Sequence, residues 1–313
     1  MSAPTLAIVA AGAMGAAVAR RLTTAGCIIL TNLDGRSPAT RARAAAAGMH
    51  DVPMVELAAR ARWVLSILPP SDALAFAARF KDAHAQSRSS QGATAAAIAF
   101  ADCNAVSPET VKRIAALFTG SGVGFVDAGI IGGPPREGYD PVFYASVAPE
   151  DSALLEEFAG LKRWGLNVSL LKGEGAGVGD ASALKMSYAG ISKGIIGLCS
   201  TMILAAHASS PATAQALLHE LSASQPAILQ RITKSVPNML PKAYRWVGEM
   251  EEISAFVGGG EAQVHRGLAA LYARIERSLQ EERKGEEGGE DVRVLRAFVE
   301  DAKRVVGQGQ GQE

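Results

Sequence analysis

Polar side chains recur near one face of a predicted helix in the middle of the chain. Lys185, Tyr188 and Ser192, with Lys193 beside them, approximate the i, i+3, i+4, i+7 spacing that brings side chains together. An ammonium, a phenol and a hydroxyl near one point suit the interconversion of an alcohol and a carbonyl, because a proton must follow the hydride to or from the substrate oxygen.

Lys185 is the strongest candidate for the group that moves this proton. Most lysines are exposed, so a surface lysine on an amphipathic helix is the alternative. The neighbouring positions are apolar nearly all round, which favours a buried amine whose pKa is lowered by desolvation. We therefore predict Lys185 as general acid and base. Tyr188 would orient the substrate or relay the proton, although core packing explains a tyrosine there equally well.

A second chemical motif lies near the start of the chain, where Leu6–Leu22 combines an apolar run, a tight turn and a helical pattern. The dinucleotide fingerprint G-x-G-x-x-G falls here on Ala10, Gly12 and Gly15, so its first glycine is missing. A plain turn rich in glycine and alanine is the alternative. The position before a strand–helix–strand pattern favours diphosphate binding at the helix N-terminus. The predicted cofactor-binding residues are Gly12, Ala13, Met14 and Gly15.

The end of the second predicted strand bears on the choice of nucleotide. Asp34 could accept the ribose 2′-hydroxyl of NAD. Two arginines and two hydroxyls follow at once and suit a 2′-phosphate, so we favour NADP and leave NAD open. The arginines and hydroxyls behind this preference are those of Arg36, Ser37, Thr40 and Arg41. In this segment, the residues predicted to contact the cofactor are Asn32, Arg36 and Ser37.

Other candidate site residues follow predicted strands. Leu68 and Pro69 are predicted to border the cofactor, although a plain loop would look the same. The Asn104 amide can hydrogen-bond a carboxamide or a substrate oxygen, and we place it among the catalytic residues. Gly132 and Gly133 would let a substrate approach backbone amides. For these last three residues, a turn or a strand-end cap is an equally good explanation.

The elements that must position these residues divide the chain in two. Its 313 residues suggest about two domains. Apolar runs alternate with helical patterns up to residue 172, which indicates parallel strands with crossover helices. Beyond that point only helices are predicted. We therefore predict an α/β Rossmann domain over residues 1–172 and an all-α domain over 173–313, joined by a long helix over 180–207 that is buried on most sides.

The first domain contains six predicted strands and four predicted helices, and the second contains five helices after the connecting one. The strands are Leu6–Ala10, Cys27–Thr31, Trp63–Leu68, Ala96–Ala101, Gly124–Asp127 and Phe143–Val147. The helices are Ala13–Ala25, Pro38–Ala47, Ser71–Phe80, Pro108–Leu117, Pro211–Ser222, Ala227–Val236, Tyr244–Phe256, Glu261–Gln280 and Val292–Val306. Loops are predicted over Gln86–Gly92, over the charged segment Glu281–Asp291 and over the tail Gly307–Glu313.

Composition excludes several classes of protein. Thirty-one basic and 31 acidic residues give no net charge, which argues against nucleic-acid binding. Three widely spaced cysteines indicate neither a disulfide scaffold nor a zinc site, and none of the five histidines has a metal-ligand spacing. No targeting segment stands out. The apolar run Gly194–Ala208 is shorter than a bilayer requires. We expect a cytoplasmic protein that acts on a small molecule, without metal, nucleic acid or membrane.

Four segments together resemble the family of 3-hydroxyacid dehydrogenases and 6-phosphogluconate dehydrogenases, over most of the chain. Their order and spacing carry the resemblance more than any one motif does. They are Gly12-Ala-Met-Gly15, Ala101-Asp-Cys-Asn-Ala-Val-Ser-Pro108, Asp127-Ala-Gly-Ile-Ile-Gly-Gly133 and the glycine-rich entry from Gly175 into the helix that carries Lys185. A fifth segment, Trp246–Glu252, is similar to an uncharacterised branch with its own helical C-terminal domain.

The resemblance implies an NAD(P)-dependent enzyme acting on a 3-hydroxy acid, with the lysine as catalytic group and a homodimer as assembly. The family's asparagine four residues after the lysine is Ala189 here, and the serine of its substrate loop is Ile131. Ser192 takes the place of the acidic glutamate of 6-phosphogluconate dehydrogenases, which argues against that substrate. We therefore predict a more apolar substrate site, formed by Ile131, Gly132, Gly133 and Ser192.

Two other functions are compatible with these departures. An imine reductase, from a neighbouring group with the same layout, would reduce C=N instead of C=O. Tyr188 and the apolar site favour this reading, whereas Lys185 argues against it, because those enzymes generally lack the lysine. A non-catalytic NADPH-binding protein is the second alternative, since the missing asparagine and serine fit a loss of activity.

Overall fold

Strands and helices alternate through the first half of the chain, as the apolar runs predict. The computed structural model describes residues 3–91, 97–285 and 289–309. The chain packs as two compact units, Met1–Tyr188 and Ala189–Glu313. Strands β1 to β8 of the first unit are Thr5–Val9, Ile28–Thr31, Met49–Asp51, Trp63–Ser66, Ile98–Asp102, Val123–Ile131, Val142–Ser146 and Asn167–Leu170.

The helices follow the same chain order. Helices α1 to α6 of the first unit are Ala13–Thr24, Pro38–Ala46, Met54–Arg60, Pro70–Gln91, Pro108–Leu117 and Ser152–Ala159. Helix α7 (Asp180–Ser209) begins in the first unit and continues into the second. The second unit adds α8 to α12, which are Pro211–Ser224, Pro226–Met239, Ala243–Val257, Ala262–Lys284 and Glu290–Gly309. The predicted Rossmann domain followed by an all-helical region is confirmed.

The sheet has the strand order β3-β2-β1-β4-β5-β6-β7-β8. Strands β1 to β6 are parallel, β7 runs antiparallel to β6, and β8 is parallel to β7. The order reverses between β1 and β4, and in such sheets a ligand binds outside the carboxyl ends of the strands at this point. The six parallel strands therefore bring their carboxyl ends, and the residues that follow them, to one edge.

Both faces of the sheet are covered, which explains why its strands are apolar at almost every position. Leu6 and Ile8 of β1 are buried in one core, whereas Ala7 and Val9 are buried in the other. Parallel strands with helices on both sides show this pattern. A row of aromatic rings extends the second core, with the Phe100 ring stacked 6.2 Å from that of Phe125.

Ser-Pro pairs set the start of three helices. The serines of Ser37-Pro38, Ser107-Pro108 and Ser210-Pro211 are N-caps of α2, α5 and α8. Each hydroxyl accepts the amide N–H three residues later, at 3.3, 3.2 and 3.0 Å respectively. Proline at the first helical position loses no hydrogen bond there and has the required φ. These starts are local, and the sequence predicts all three correctly.

Several short or polar elements escape the sequence pattern. The sequence pattern does not predict strands β3 and β8 or helices α3 and α6. The two strands are missed because they have only three and four residues, some of them polar and exposed. The predicted loop over Gln86–Gly92 is wrong as far as Gln91, because α4 continues through it; Gly92 lies outside the described residues. Helices α11 and α12 likewise extend into the predicted charged loop and tail, of which residues 286–288 and 310–313 are outside the described part.

Helix α7 is apolar but not buried on most sides. It is long and apolar enough to cross a membrane by length and composition, which alone are weak grounds for a membrane span. Only 33% of its most apolar window is buried in the single chain. Ile191, Leu198 and Met202 are exposed, so the prediction of burial on most sides was wrong. The sequence shows that these residues are apolar but not whether the same chain covers them.

Candidate active site

The glycine turn between β1 and α1 combines close packing with an open helix end. A Cβ added at Gly15 would lie 2.0 Å from the carbonyl oxygen of Ala10, so only glycine fits there. A Cβ at Gly12 would meet nothing within 4 Å, and Gly12, the N-cap of α1, offers no side-chain cap. Ala10 can take the first fingerprint position because that position does not need a positive φ here: no described non-glycine residue has one. The amides of Ala13 and Met14 thus begin a helix whose N-terminus is free to receive a diphosphate.

A cavity of about 370 Å³ lies at the carboxyl ends of the strands where the sheet order reverses. It brings together three of the predicted cofactor residues, Asn32, Arg36 and Leu68. Asp34 and Arg79 also line it. Arg79 was not predicted from the sequence. Its helical spacing from Asp72 and Phe76 on α4 is the signal that places all three side chains on one face, toward this cavity. Two guanidiniums and a carboxylate at this edge fit the adenosine ribose of a dinucleotide cofactor.

The neighbouring arginines are engaged within the domain. The Arg41 guanidinium donates to an oxygen of Asp51 at 3.1 Å and to the Leu33 carbonyl oxygen at 2.5 Å. The Arg43 guanidinium, on the same helix, donates to the Ala11 carbonyl oxygen at 3.1 Å, on the glycine turn itself. Arg36 therefore has the better position of the predicted cations.

Two further predicted cofactor residues, Ser37 and Pro69, directly follow residues that line this cavity. The Ser37 hydroxyl accepts the Thr40 amide as the α2 cap. Pro69 is exposed and follows Leu68, directly before α4. The Asn32 amide donates to an Asp34 oxygen at 2.8 Å and to the Val52 carbonyl oxygen at 3.1 Å.

Asn104 is buried and hydrogen-bonded to the ends of two strands. Its side-chain oxygen accepts the Leu68 amide at 2.5 Å. Its side-chain nitrogen donates to the Ser66 hydroxyl and to an oxygen of Asp102, both at 2.9 Å. Both donors and an acceptor are therefore engaged in holding the β4 loop that carries Leu68, a positioning arrangement that the strand-end motif alone could not distinguish from contact with a substrate.

Lys185 lies at the carboxyl end of β6. It is half-buried on the second turn of α7, and its Nζ donates to the carbonyl oxygen of Ile130. Ile131 and Gly132 follow directly in the chain. The amine of Lys185 therefore lies beside the start of the predicted substrate loop. The next turn of α7 carries Tyr188, whose side chain is 55% exposed and is thus not packed in a core of this chain.

Ser192 lies in the second unit. Its hydroxyl donates to the Ala189 carbonyl oxygen at 3.4 Å, and its own carbonyl accepts from Arg231 at 3.4 Å. Nearby on the same unit, Lys193 pairs with the buried Glu249. The Lys193 ammonium therefore forms an ion pair within the helical region.

The loop after β6 is closed by a tyrosine that the sequence analysis did not single out. A Cβ at Gly132, which has φ +128°, would lie 2.2 Å from the Tyr139 hydroxyl oxygen. That oxygen accepts the Gly133 amide at 3.1 Å, and the Arg136 guanidinium lies 4.5 Å from the centre of the Tyr139 ring. Position 132 requires glycine because the Tyr139 hydroxyl lies too close for a side chain. The Gly133 amide already donates to that hydroxyl and so has a partner within the chain.

Asp127, on β6, is another residue to which the sequence analysis gave no role. Its carboxylate is fully buried and accepts hydrogen bonds from Gly179, Ser182 and Ser146. Burial raises its pKa to about 6, against the opposing effect of these donors. Asp127 is the first residue of the segment that resembles the family's substrate loop. Its hydrogen-bond partners are 19 to 55 residues away in the sequence, so the segment by itself does not show what the carboxylate binds.

Comparison with known families agrees with this geometry. Residues 5–156 match the NAD binding domain of 6-phosphogluconate dehydrogenase. Residues 208–275 match a domain of unknown function, DUF1932. No curated protein sequence matches the chain.

Solved structures of similar fold cover most of the chain. A conserved protein of unknown function, described as structurally similar to 3-hydroxyacid dehydrogenases, is 26% identical, with a TM-score of 0.61 over 87% of this chain and 97% of the other. The 3-hydroxyisobutyrate dehydrogenase of Mycobacterium tuberculosis is 17% identical, with a TM-score of 0.62 over 87% and 94%. An imine reductase from Myxococcus stipitatus is 19% identical, with a TM-score of 0.52 over 95% and 99%.

The first half of the chain is therefore an NAD(P)-binding Rossmann domain. Residues 5–156 belong to the family of 6-phosphogluconate dehydrogenase NAD-binding domains, and residues 208–275 belong to the DUF1932 domain family. The fold over most of the chain is that of the 3-hydroxyacid dehydrogenases, and the enzyme class is NAD(P)-dependent dehydrogenase or reductase. The family, the fold class and the enzyme class predicted from the sequence are confirmed.

Proposed function

We propose that this protein is an NADP(H)-dependent oxidoreductase that interconverts a small 3-hydroxy acid and its carbonyl form, with Lys185 as general acid and base. The half-buried amine of Lys185, at the same sheet edge as the glycine turn, is the observation that carries the proposal. NADP(H), when bound, supplies or accepts the hydride. Lys185 supplies the matching proton to the substrate oxygen in reduction and accepts it in oxidation.

The other residues bind the cofactor and orient the substrate. The N-terminus of α1, from Gly12 onward, binds the diphosphate. Tyr188 follows Lys185 by one helical turn and orients the substrate, with Ser192 one turn further. Ile131 and Gly132 border the amine and form the apolar side of the site. Asn104 positions Leu68 against the cofactor.

The preference for NADP over NAD depends on Arg36 and Arg79. Both line the cavity at the adenosine end, and a planar guanidinium matches a phosphate dianion. Asp34, the residue that would accept a ribose hydroxyl, already accepts the Asn32 amide. The two guanidiniums favour a 2′-phosphate, while the second oxygen of the Asp34 carboxylate is the group through which NAD would bind.

Cofactor titration followed by a substrate panel tests this function. We expect NADPH to quench the protein's tryptophan fluorescence at lower concentration than NADH, and small 3-hydroxy acids to be oxidised with NADP⁺. Turnover of cyclic imines alone would assign imine reduction instead. Tight NADPH binding without turnover of either class would identify a non-catalytic binding protein, and tighter binding of NADH would overturn the cofactor preference.

We further propose a homodimer formed through α7. Its exposed apolar residues follow a heptad spacing, alternating steps of three and four, which is the pattern of a helix that packs along another helix. They are Ile191, Ile195, Leu198 and Met202, of which Ile195 is half-buried. A second copy that covers this surface would remove the need for lipid around the apolar helix, in keeping with the cytoplasmic location that we also propose.

Leu198→Glu should convert the dimer to a monomer, because a charge in the middle of the seam cannot be buried without a partner. Sedimentation equilibrium should give twice the chain mass for the parent protein and about one chain mass for the variant. Ala216→Glu, on the exposed face of α8, is the matched control and should leave the mass unchanged. A monomeric parent protein would contradict the proposal.

A further inference from the structure

The beginning of α7 is held on β6 by a carboxylate from another part of the chain. One oxygen of Asp127 accepts the amides of Gly179 and Ser182, each at 3.0 Å, and the other accepts the Ser182 hydroxyl at 2.8 Å. The Ser146 hydroxyl donates to the same carboxylate at 3.4 Å and accepts the Ala181 amide at 3.2 Å. Asp127 thus does for α7 what an N-cap side chain does locally, and its negative charge lies at the favourable end of the helix dipole.

Two residues further along β6, Gly129 allows the helix to approach the strand. A Cβ at Gly129 would lie 2.8 Å from the Ala181 carbonyl oxygen and 3.2 Å from the Cβ of Lys185. Residues i and i+2 of a strand share a face, so Asp127 and Gly129 both face the first turns of α7. The backbone of α7 and the base of the lysine side chain therefore rest directly on the strand.

These contacts determine where the lysine amine lies. Its Cβ is set by Gly129, its helix is set by Asp127, and its Nζ donates to the carbonyl of Ile130 on the same strand. Any shift of the first turns of α7 along or away from β6 moves the amine with them. A displacement of about 1 Å at a reacting group is enough to cost roughly a hundredfold in rate.

We infer that Asp127 and Gly129 are positioning residues for Lys185: they dock the start of α7 on β6 and thereby aim the amine at the end of that strand. The inference rests on the proposed function for its catalytic consequence. Its geometric content, the placement of the amine, is independent of any activity. Neither residue touches the reacting atoms under this assignment.

Chemical labelling of Lys185 in the protein without cofactor tests the placement directly. Reductive methylation at limiting reagent, quantified by peptide mass spectrometry, measures how accessible the amine is. Gly129→Ala and Ser182→Ala should each raise the Lys185 labelling rate about two- to tenfold, the equivalent of one lost hydrogen bond. Gly124→Ala is the matched control on the same strand, because its Cβ would lie 2.8 Å from the flexible end of Leu154 and at an ordinary contact distance, 3.5 Å, from the Ala99 Cβ. It should leave the labelling rate unchanged.

Kinetics then test the consequence. Gly129→Ala and Ser182→Ala should lower kcat about tenfold or more, per NADPH-binding site, with the NADPH Kd within about twofold of the parent value. In a Lys185→Ala background neither change should lower the residual rate further, because the group being positioned is absent. Ser182→Ala removes one hydroxyl and is the variant that decides the matter if Gly129→Ala does not fold.

The outcomes separate the two claims. Unchanged Lys185 labelling in both folded variants would overturn the positioning role whatever the activity. Raised labelling with unchanged kcat, in a protein whose Lys185→Ala variant is inactive, would also overturn it. Raised labelling in a protein whose activity does not depend on Lys185 would keep the placement and refute the proposed function.

Discussion

A Lys185→Ala protein is expected to bind NADPH with the affinity of the parent and to lose about 10²- to 10⁴-fold in kcat, the usual contribution of a general acid or base. The amine lies at the end of β6 and outside the cavity that Arg36 and Arg79 line, so its removal leaves the cofactor contacts intact. Steady-state rates with the best substrate of the panel, and a fluorescence titration of NADPH, measure the two quantities separately.

Lys162→Ala, which removes an exposed amine of the same domain, is the matched control and should keep the parent kcat. Because alanine leaves space where the side chain was, a small primary amine in solution should restore part of the rate of Lys185→Ala, which a general loss of structure would not allow. Parent-like turnover in Lys185→Ala would eliminate the lysine mechanism.

The second large effect separates two glycines of one turn. Gly12→Val should raise the NADPH Kd about 100-fold, because a side chain over the start of α1 displaces about two charge-assisted hydrogen bonds to the diphosphate. The free energy of unfolding should fall by only about 1 kcal/mol, the usual range for an N-cap change, since a Cβ at Gly12 meets nothing within 4 Å.

Gly15→Ala should have the opposite pattern, a large loss of stability. The new methyl group would lie 2.0 Å from the carbonyl oxygen of Ala10, directly after β1, so the turn or α1 must move. Overpacking of this kind costs about 3 kcal/mol, which lowers the Tm of a domain of this size by roughly 6–12 °C. Calorimetry without cofactor measures the stability of both variants. If Gly12→Val binds NADPH as tightly as the parent, the diphosphate does not bind at this turn.

Local patterns of the sequence determine many of the strands and helix starts. The Ser-Pro pairs at residues 37, 107 and 210 specify helix starts through contacts over three residues, and the apolar runs specify strands covered on both faces. The glycine turn at Gly12 and Gly15 is equally local, since strand, turn and helix are adjacent in the chain. Such signals can be read from a sequence because the interacting residues are close together in it.

The tertiary structure decides which of the candidate side chains remain available. Arg41 and Arg36 look equivalent in sequence, but Asp51 and the Leu33 carbonyl engage Arg41, while Arg36 lines the cavity. Gly133 looks open to a substrate until Tyr139 folds back on its amide. Each of these outcomes depends on how the chain packs and not on the spacing of the motif.

The same holds for Lys185, the proposed acid–base group. The sequence by itself determined that a lysine follows a glycine-rich entry into an apolar helix, and that this helix belongs to a nucleotide-binding chain of the dehydrogenase type. Only the tertiary structure placed the amine, through a carboxylate on β6 that is 55 residues from the Ser182 it binds. Contacts over that separation arise when the sheet brings β6 beside α7, and a spacing rule within one element cannot predict them.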